Sequence, residues 1–309
     1  MVLARMEELG YTPNATAQRL VTGRTQTVLF ECGEIPSVTD LYMLEAIRGA
    51  QRTLTVQQFG LLLGSPNGDS VGTVVSGAVD GAILVADDDT SYVSGDGDHG
   101  ITQAIAVQIA ERGKPCVVIG HTVVPDPRVG SVVLDLEQGA REVARYLVQM
   151  GHRRIGFLAA RRAETVQCAF RDELARLGAP LDPEYVIVSG NTVEHGEQGM
   201  QALLRLPKPP TVVFARNDTL ASGARRGARA CGMRVPEDVS LVGHDDVPFA
   251  GLMDPPLTTV QVNASRLGQA AAEMLIEMLD QPEIAPLARV VPTSLVVRET
   301  VVGLNPIQE

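Results

Sequence analysis

The chain has 309 residues, 45% hydrophobic and 20% charged, and its 37 acidic against 26 basic side chains leave a formal net charge of −11. That length exceeds what one hydrophobic core holds, so two compact lobes are expected, and the ordinary composition excludes disordered, collagen-like and disulfide-scaffold classes. The acidic surplus excludes a protein that binds nucleic acid over its whole surface, so any DNA contact must be local.

The segment 1–26 holds Arg5, Arg19 and Arg24 against Glu7 and Glu8, which makes this end slightly basic on an otherwise acidic chain. Its opening, MVLARMEELGY, places charges where a signal peptide needs an apolar core. No apolar run reaches the roughly 20 residues of a membrane helix, so a cytoplasmic protein with no membrane partner is expected. Cys32, Cys116, Cys168 and Cys231 lack any metal or redox spacing and sit in or beside apolar runs, so they read as buried thiols.

From Thr27 onward, β-branched apolar runs alternate with helical periodicity. Strands are predicted at Thr27–Cys32, Phe59–Leu63, Gly81–Val85, Cys116–Ile119, Ile155–Leu158, Tyr185–Val188, Thr211–Phe214 and Ser240–Gly243. Their near-continuous Val, Ile and Leu content suits parallel strands covered on both faces. Helices are predicted at Leu41–Thr53, Thr102–Glu111, Leu136–Met150, Thr165–Leu177, Val193–Leu206, Asp218–Ala230 and Ala264–Leu279. The alternation predicts an α/β protein with two doubly wound parallel-sheet lobes and a ligand cleft, the lobe boundary falling near Ser131 to Asp135.

Ligands in open α/β sheets bind beyond the carboxyl ends of strands. Two such loops are strongly polar: Ala215-Arg216-Asn217-Asp218 and His244-Asp245-Asp246. Periodicity leaves two readings open, a binding site or a helix cap at Asp218 beside a solvated turn. Other motifs are rejected. Gly95 to Gly100 has the G-x-G-x-x-G spacing, but it lies far from the strand ending near Val85, and Asp96 and Asp98 would repel a pyrophosphate. Asp87, Asp88 and Asp89 with Asp96 and Asp98 lack the spacing of a calcium loop. Gly64 to Gly68 has no following Lys, and core or surface roles suffice for His152 and His195. With no catalytic constellation, neither an enzyme nor a cofactor is expected.

Several short motifs occur in order along the chain: Leu9-Gly10-Tyr11-Thr12-Pro13-Asn14-Ala15-Thr16-Ala17-Gln18-Arg19-Leu20, Gly151-His152-Arg153-Arg154-Ile155, Arg171, Asn217-Asp218, Pro236, Gly243-His244-Asp245-Asp246, Pro256-Leu257-Thr258-Thr259 and Arg298-Glu299. In that order and spacing, over nearly the whole chain, they resemble the LacI/GalR family of bacterial transcriptional regulators. The resemblance implies a fold like type I periplasmic binding proteins, preceded by a short helical hinge. It assigns 1–26 to a remnant of the DNA-binding head and the hinge helix, 27–134 plus about 263–289 to one lobe, and 135–262 plus about 290–309 to the other. Val2 to Leu9 looks like the last helix of a helix-turn-helix head whose recognition helix is absent from this sequence, so this polypeptide is not expected to read major-groove base edges.

The resemblance further implies that the hinge, Asn14 to Leu20, pairs with its copy in a homodimer, with Ala17 facing the minor groove of operator DNA and Leu20 wedging between base steps. Two turns are too short for a stable isolated helix, so the hinge is expected to fold only when supported. Arg171, Asn217 and Asp245 take family positions facing a small-molecule effector, and Asp40 and Tyr42 line the other lobe. Amide, carboxylate and guanidinium groups suit sugar hydroxyls. His244 stands where the family usually has an aromatic, and Asp40-Leu41-Tyr42-Met43 replaces an Asn-Pro-aromatic-aromatic run, so an atypical ligand is expected. The resulting expectation is a regulator whose effector closes the cleft and shifts operator affinity. The C-terminal residues 302–309 show no leucine heptad, which predicts a dimer without a coiled-coil tetramer. A transporter's solute-binding protein, which shares the fold, is the alternative, and an α/β enzyme using a nucleotide cofactor is a third class.

Overall fold

The computed structural model describes residues 23–32, 41–64, 69–86, 99–160, 164–286 and 288–304. The hinge positions Asn14, Ala17 and Leu20, together with Asp40 and the acidic residues 87–89, 96 and 98, lie outside them. Strands and helices alternate as β1 (Thr27–Glu31), α1 (Leu41–Val56), β2 (Gly60–Gly64), α2 (Ser70–Val75), β3 (Gly81–Val85), α3 (His99–Glu111), β4 (Cys116–Gly120) and β5 (Val129–Asp135). There follow α4 (Leu136–Gln149), β6 (Ile155–Ala160), α5 (Glu164–Arg176), β7 (Val186–Ser189), α6 (Val193–Leu204), β8 (Val212–Ala215), α7 (Asp218–Ala230), β9 (Ser240–Asp245), β10 (Thr258–Val262), α8 (Ala264–Asp280) and β11 (Arg289–Val296). All eight predicted strands are present within a residue or two. The short helix α2 and the strands β5, β10 and β11 are additions that the sequence pattern did not resolve.

The strands lie in the order β2-β1-β3-β4-β5-β11-β10-β9-β8-β6-β7. The first five run parallel to one another and to β11, the last five run parallel to one another, and β11 meets β10 antiparallel. β11 joins the two sets: Arg289 to Pro292 pair with Val132 to Asp135 of β5, then Thr293 to Val296 pair with Val262 to Thr259 of β10. Both sets therefore run toward the crossover, and their carboxyl ends converge on it. This topology turns the carboxyl ends of both strand sets toward the crossover, and such strand ends are where α/β proteins bind ligands.

Three passages of the chain lie side by side at the crossover. Asp135 ends β5 and caps α4 by accepting the Gln138 amide at 3.1 Å, and Asn263 follows β10 and caps α8 by accepting the Arg266 amide at 3.0 Å. The third passage is Pro292-Thr293, where the buried Thr293 hydroxyl donates to the Asp135 carbonyl at 2.5 Å and accepts from the Gly139 amide at 2.9 Å. Side-chain caps of this kind satisfy helix donors that otherwise lack partners.

Helices cover the sheet as amphipathic layers. α8 packs on α1 and against β3, β4 and β5, while α4 packs on α5 and against β10 and β11. Phe157, Phe170 and Phe214 form an aromatic cluster beneath β6 and β8, with ring centroids 4.9 to 5.7 Å apart. His152 is a core residue: its ring bridges Thr211 Oγ1 at 2.9 Å and the Val302 carbonyl at 3.1 Å, and burial pushes its pKa down. The cysteines depart from expectation. Cys32 and Cys116 are buried, and burial pushes the Cys116 thiol far above its ordinary value, but Cys168 is half-buried and Cys231, the C-cap of α7, is exposed. An apolar neighbourhood in sequence does not by itself bury a thiol: Cys231 sits past the last turn of its helix, and Cys168 lies beside the buried stripe of α5. No helix among the described residues is long and apolar enough to cross a membrane.

Candidate functional site

The polar groups of the second strand set gather where β8 and β9 end. Asn217 follows β8 and caps α7, accepting the Leu220 amide on Oδ1 at 2.7 Å while its amide nitrogen donates to Asn191 Oδ1 at 3.4 Å. Asn217, not Asp218, is therefore the cap. Its neighbour Arg216 is 11% exposed at the side chain, with Nη1 3.8 Å from Asp245 Oδ1 and 3.4 Å from His244 Nδ1.

The turn after β9 is backbone-strained: Asp245 has φ +102° and Asp246 φ +52°. Non-glycine residues hold such angles only where the surroundings over-determine them. Those surroundings are explicit here. Asp246 accepts from Arg298 Nη2 at 2.6 Å and from Gln261 Nε2 at 3.1 Å, and Arg298 also donates through Nη1 to the Leu257 carbonyl at 2.7 Å. Asp218, 1% exposed, accepts the Val247 amide on Oδ2 at 2.9 Å and the Thr259 hydroxyl on Oδ1 at 2.6 Å. Gly243 belongs to this packing, because a Cβ there would overlap Asp218 Oδ1. The result is a fixed Asp245 carboxylate whose Oδ1 lies 2.8 Å from His244 Nδ1, the same ring nitrogen that Arg216 Nη1 approaches.

Two of the three aspartates of this cluster face arginines. The Arg216 guanidinium faces Asp245, and Arg298 pairs with Asp246. Asp218 has no cationic partner among these contacts. Burial, reinforced by the negative charges of Asp245 and Asp246, raises its pKa well above 3.8. A site presenting amide, carboxylate, guanidinium and imidazole groups is suited to hydrogen-bonding a polar ligand. On the facing strand set, Glu31 ends β1 and accepts a hydrogen bond from Ser70 of α2; burial raises its pKa, against the lowering effect of that bond.

Asn217 and Asp245, expected to share a site, lie at adjacent strand ends. Arg171 makes no described contact with either of them. It lies on α5, whose inward face is Val166, Ala169, Phe170, Glu173 and Leu174, and its guanidinium is exposed and paired with Asp172 at 3.0 Å. Tyr42 is half-buried on α1 and packs against the main core. Sequence reasoning passed over Arg216 and Asn191 and gave Asp218 no more than a capping role. A sequence signal did exist for Arg216, a charged residue directly after an apolar strand and before an Asn cap, but strand periodicity alone does not say which way it points.

Comparison with known proteins agrees with this fold. The family described as periplasmic binding protein-like domain matches residues 124–301. The chain is 30% identical over 308 residues to the HTH-type transcriptional regulator CelR of Thermobifida fusca, covering 96% of this chain and 87% of that protein. It is 28% identical over 303 residues to the HTH-type transcriptional repressor CytR of Escherichia coli K12, covering 94% and 84%. A solved CelR–cellobiose complex superposes with a TM-score of 0.74 at 28% identity, covering 97% of this chain and 89% of that one. Fold, motif order and relatives agree: the chain belongs to the LacI/GalR family of bacterial transcriptional regulators.

Proposed function

We propose that this chain is the ligand-sensing core of a transcriptional regulator, which binds a small metabolite, a sugar or sugar derivative, between its two lobes and so controls operator DNA binding. One observation carries the reading: the strand sets converge, and Arg216, Asn217 and Asp245 stand at the convergence on a buttressed turn. The sugar class is supported by the resemblance to the CelR–cellobiose complex and by the amide, carboxylate and guanidinium groups of the site. The lobes are taken as 27–134 plus about 263–289 and 135–262 plus about 290–309, a division supported by the packing of α8 on β3 to β5 and by the crossover at Pro292-Thr293.

Arg216, rather than Arg171, is the guanidinium of the proposed site. Asp40 and Tyr42 remain the proposed contribution of the first lobe. Asn14, Ala17 and Leu20 remain the proposed hinge, paired with its copy in a homodimer and set against DNA. Closure of the cleft by the effector shifts the population of lobe arrangements, and DNA reciprocally changes effector affinity. This regulator is taken to be a cytoplasmic protein and not an enzyme. The regulators among its relatives favour this reading over a transporter's solute-binding protein.

A thermal-shift screen against sugars, sugar phosphates, sugar acids, polyols and purines tests the proposal, repeated with Asp245→Ala, Arg216→Ala and Arg171→Ala. A ligand at 100 times its Kd stabilises by about 2.7 kcal/mol. A response lost in Asp245→Ala and Arg216→Ala but kept in Arg171→Ala is expected. A response that survives the first two substitutions would place the site elsewhere.

A further inference from the structure

Residues 24–27 enter the first strand set through more contacts than a strand start requires. Asp80, directly before β3 and 7% exposed, accepts the Thr25 amide on Oδ1 and the Gln26 amide on Oδ2, each at 2.7 Å. Gln26 has φ +52°, and two successive amides converging on one anion form a concave backbone cradle. The Gln26 carbonyl accepts the Gly60 amide at 2.7 Å, and the Thr27 carbonyl accepts the Asp80 amide at 2.8 Å. Arg24 reaches the last turn of α8, where Nη2 donates to the Leu279 carbonyl at 2.7 Å and Nη1 to Asp280 Oδ1 at 3.0 Å. A cation there is also favoured by the helix dipole.

The four residues thus join the starts of β1, β2 and β3 to the end of α8. The exposed Arg24–Asp280 pair contributes little alone, whereas a nearly buried carboxylate holding two amides is a strong, directional contact. A latch of this kind matters because of what precedes it. Thr25 stands five residues after Leu20. A loose connection of that length reaches roughly 17 Å in any direction, enough to erase a small rotation of the lobe.

We infer that Asp80, assisted by Arg24, is a positioning residue that fixes where and in which direction the chain before Gly23 leaves the sensor, so that movement of the lobe is passed to the hinge. The functional half of this inference rests on the proposed hinge reading; the latch itself does not. The test is residue-resolved hydrogen exchange on the full chain, comparing wild type, Asp80→Asn and Arg24→Gln. The amides of Thr25 and Gln26 should exchange about tenfold faster or more in Asp80→Asn, and measurably faster in Arg24→Gln, while those of β8 and β9 keep their rates. Trypsin should release the fragment beginning at Thr25 faster from Asp80→Asn, because Arg24 must leave α8 to be cleaved.

Unchanged exchange at Thr25 and Gln26 would overturn the inference, as would an increase shared equally by β8 and β9, which marks general destabilisation. Should Asp80→Asn fail to fold, Arg24→Gln decides, with selective loss of protection supporting the latch and unchanged protection overturning it. No effector enters this measurement, so a failed ligand screen and a failed latch are separate results.

Discussion

The Thr259 hydroxyl and the buried Asp218 carboxyl group meet at 2.6 Å, tying β10 to the first residue of α7 behind the Asp245 turn. Asp218 is the one carboxyl group of the cluster whose described partners are all neutral donors. Burial and the nearby Asp245 and Asp246 raise its pKa well above 3.8, so at pH values between the unfolded and the folded pKa the folded state holds a proton that the unfolded state has lost. The contribution is fully present below the unfolded value near 3.8 and is lost as pH rises through the folded value, at about 1.4 kcal/mol per pH unit between the two. Urea unfolding of wild type and Asp218→Asn at several pH values should show the wild-type advantage shrinking as pH rises. An advantage that grows with pH would refute the protonated state.

Arg298 holds the strained turn from outside by joining Asp246 to the Leu257 carbonyl. Arg298→Ala should cost roughly 1–3 kcal/mol by leaving a largely buried carboxylate short of a partner. Arg298→Lys should restore only part of that, since an ammonium cannot span both acceptors in a planar fork. Chemical denaturation measures the loss. Effector affinity should fall in both variants, because Asp245 shares the turn.

α6 and α7 approach closely enough that a Cβ on Gly223 would overlap the Val193 carbonyl. Gly223→Ala must push the helices apart and should destabilise by roughly 1–3 kcal/mol, with the shift felt at Asn217, which caps α7. Thermal unfolding reads the first effect and ligand response the second. Unchanged stability would mean the helices lie further apart than described.

Glu173 shows the opposite pH behaviour from Asp218. Its hydrogen bond from Arg176, with further help from Arg145, holds it down at about 2, below its ordinary 4.5. Its contribution is present above the unfolded value and disappears as pH falls toward 2. Wild type should therefore exceed Glu173→Gln in stability at neutral pH, and the two should converge in acid, as followed by denaturant midpoints.

Much of the architecture was legible in the residue pattern because its causes are local. Eight strands stand out as continuous apolar runs, which suits the buried inner strands β1, β3, β4, β8 and β9 but not the more exposed edge strands β2 and β7, and the helices show their buried stripes. The order of short motifs was enough for the family. β5, β10 and β11 were not legible: Arg289–Val296 alternates between exposed and buried positions, and its role depends on pairing one half with β5 and the other with β10, partners far away in the chain.

The site divides along the same line. Loop position marked the segments that hold Asn217 and Asp245 but left a helix cap and a solvated turn as open readings, and it was the resemblance that singled out these two residues. That Arg216 lies beside His244 and Asp245, while Arg171 pairs with Asp172, is visible only in the tertiary structure. Both are arginines beside an acidic or amide neighbour, but one lies on the outward face of α5 and the other at the end of β8, beside His244 and Asp245. The same holds for Asp218 and Asp80, whose roles come from the strands and amides that enclose them. Composition and periodicity report which residues leave water; which polar groups then face one another follows from strand register and helix packing, contacts that span tens to hundreds of residues and leave no local trace.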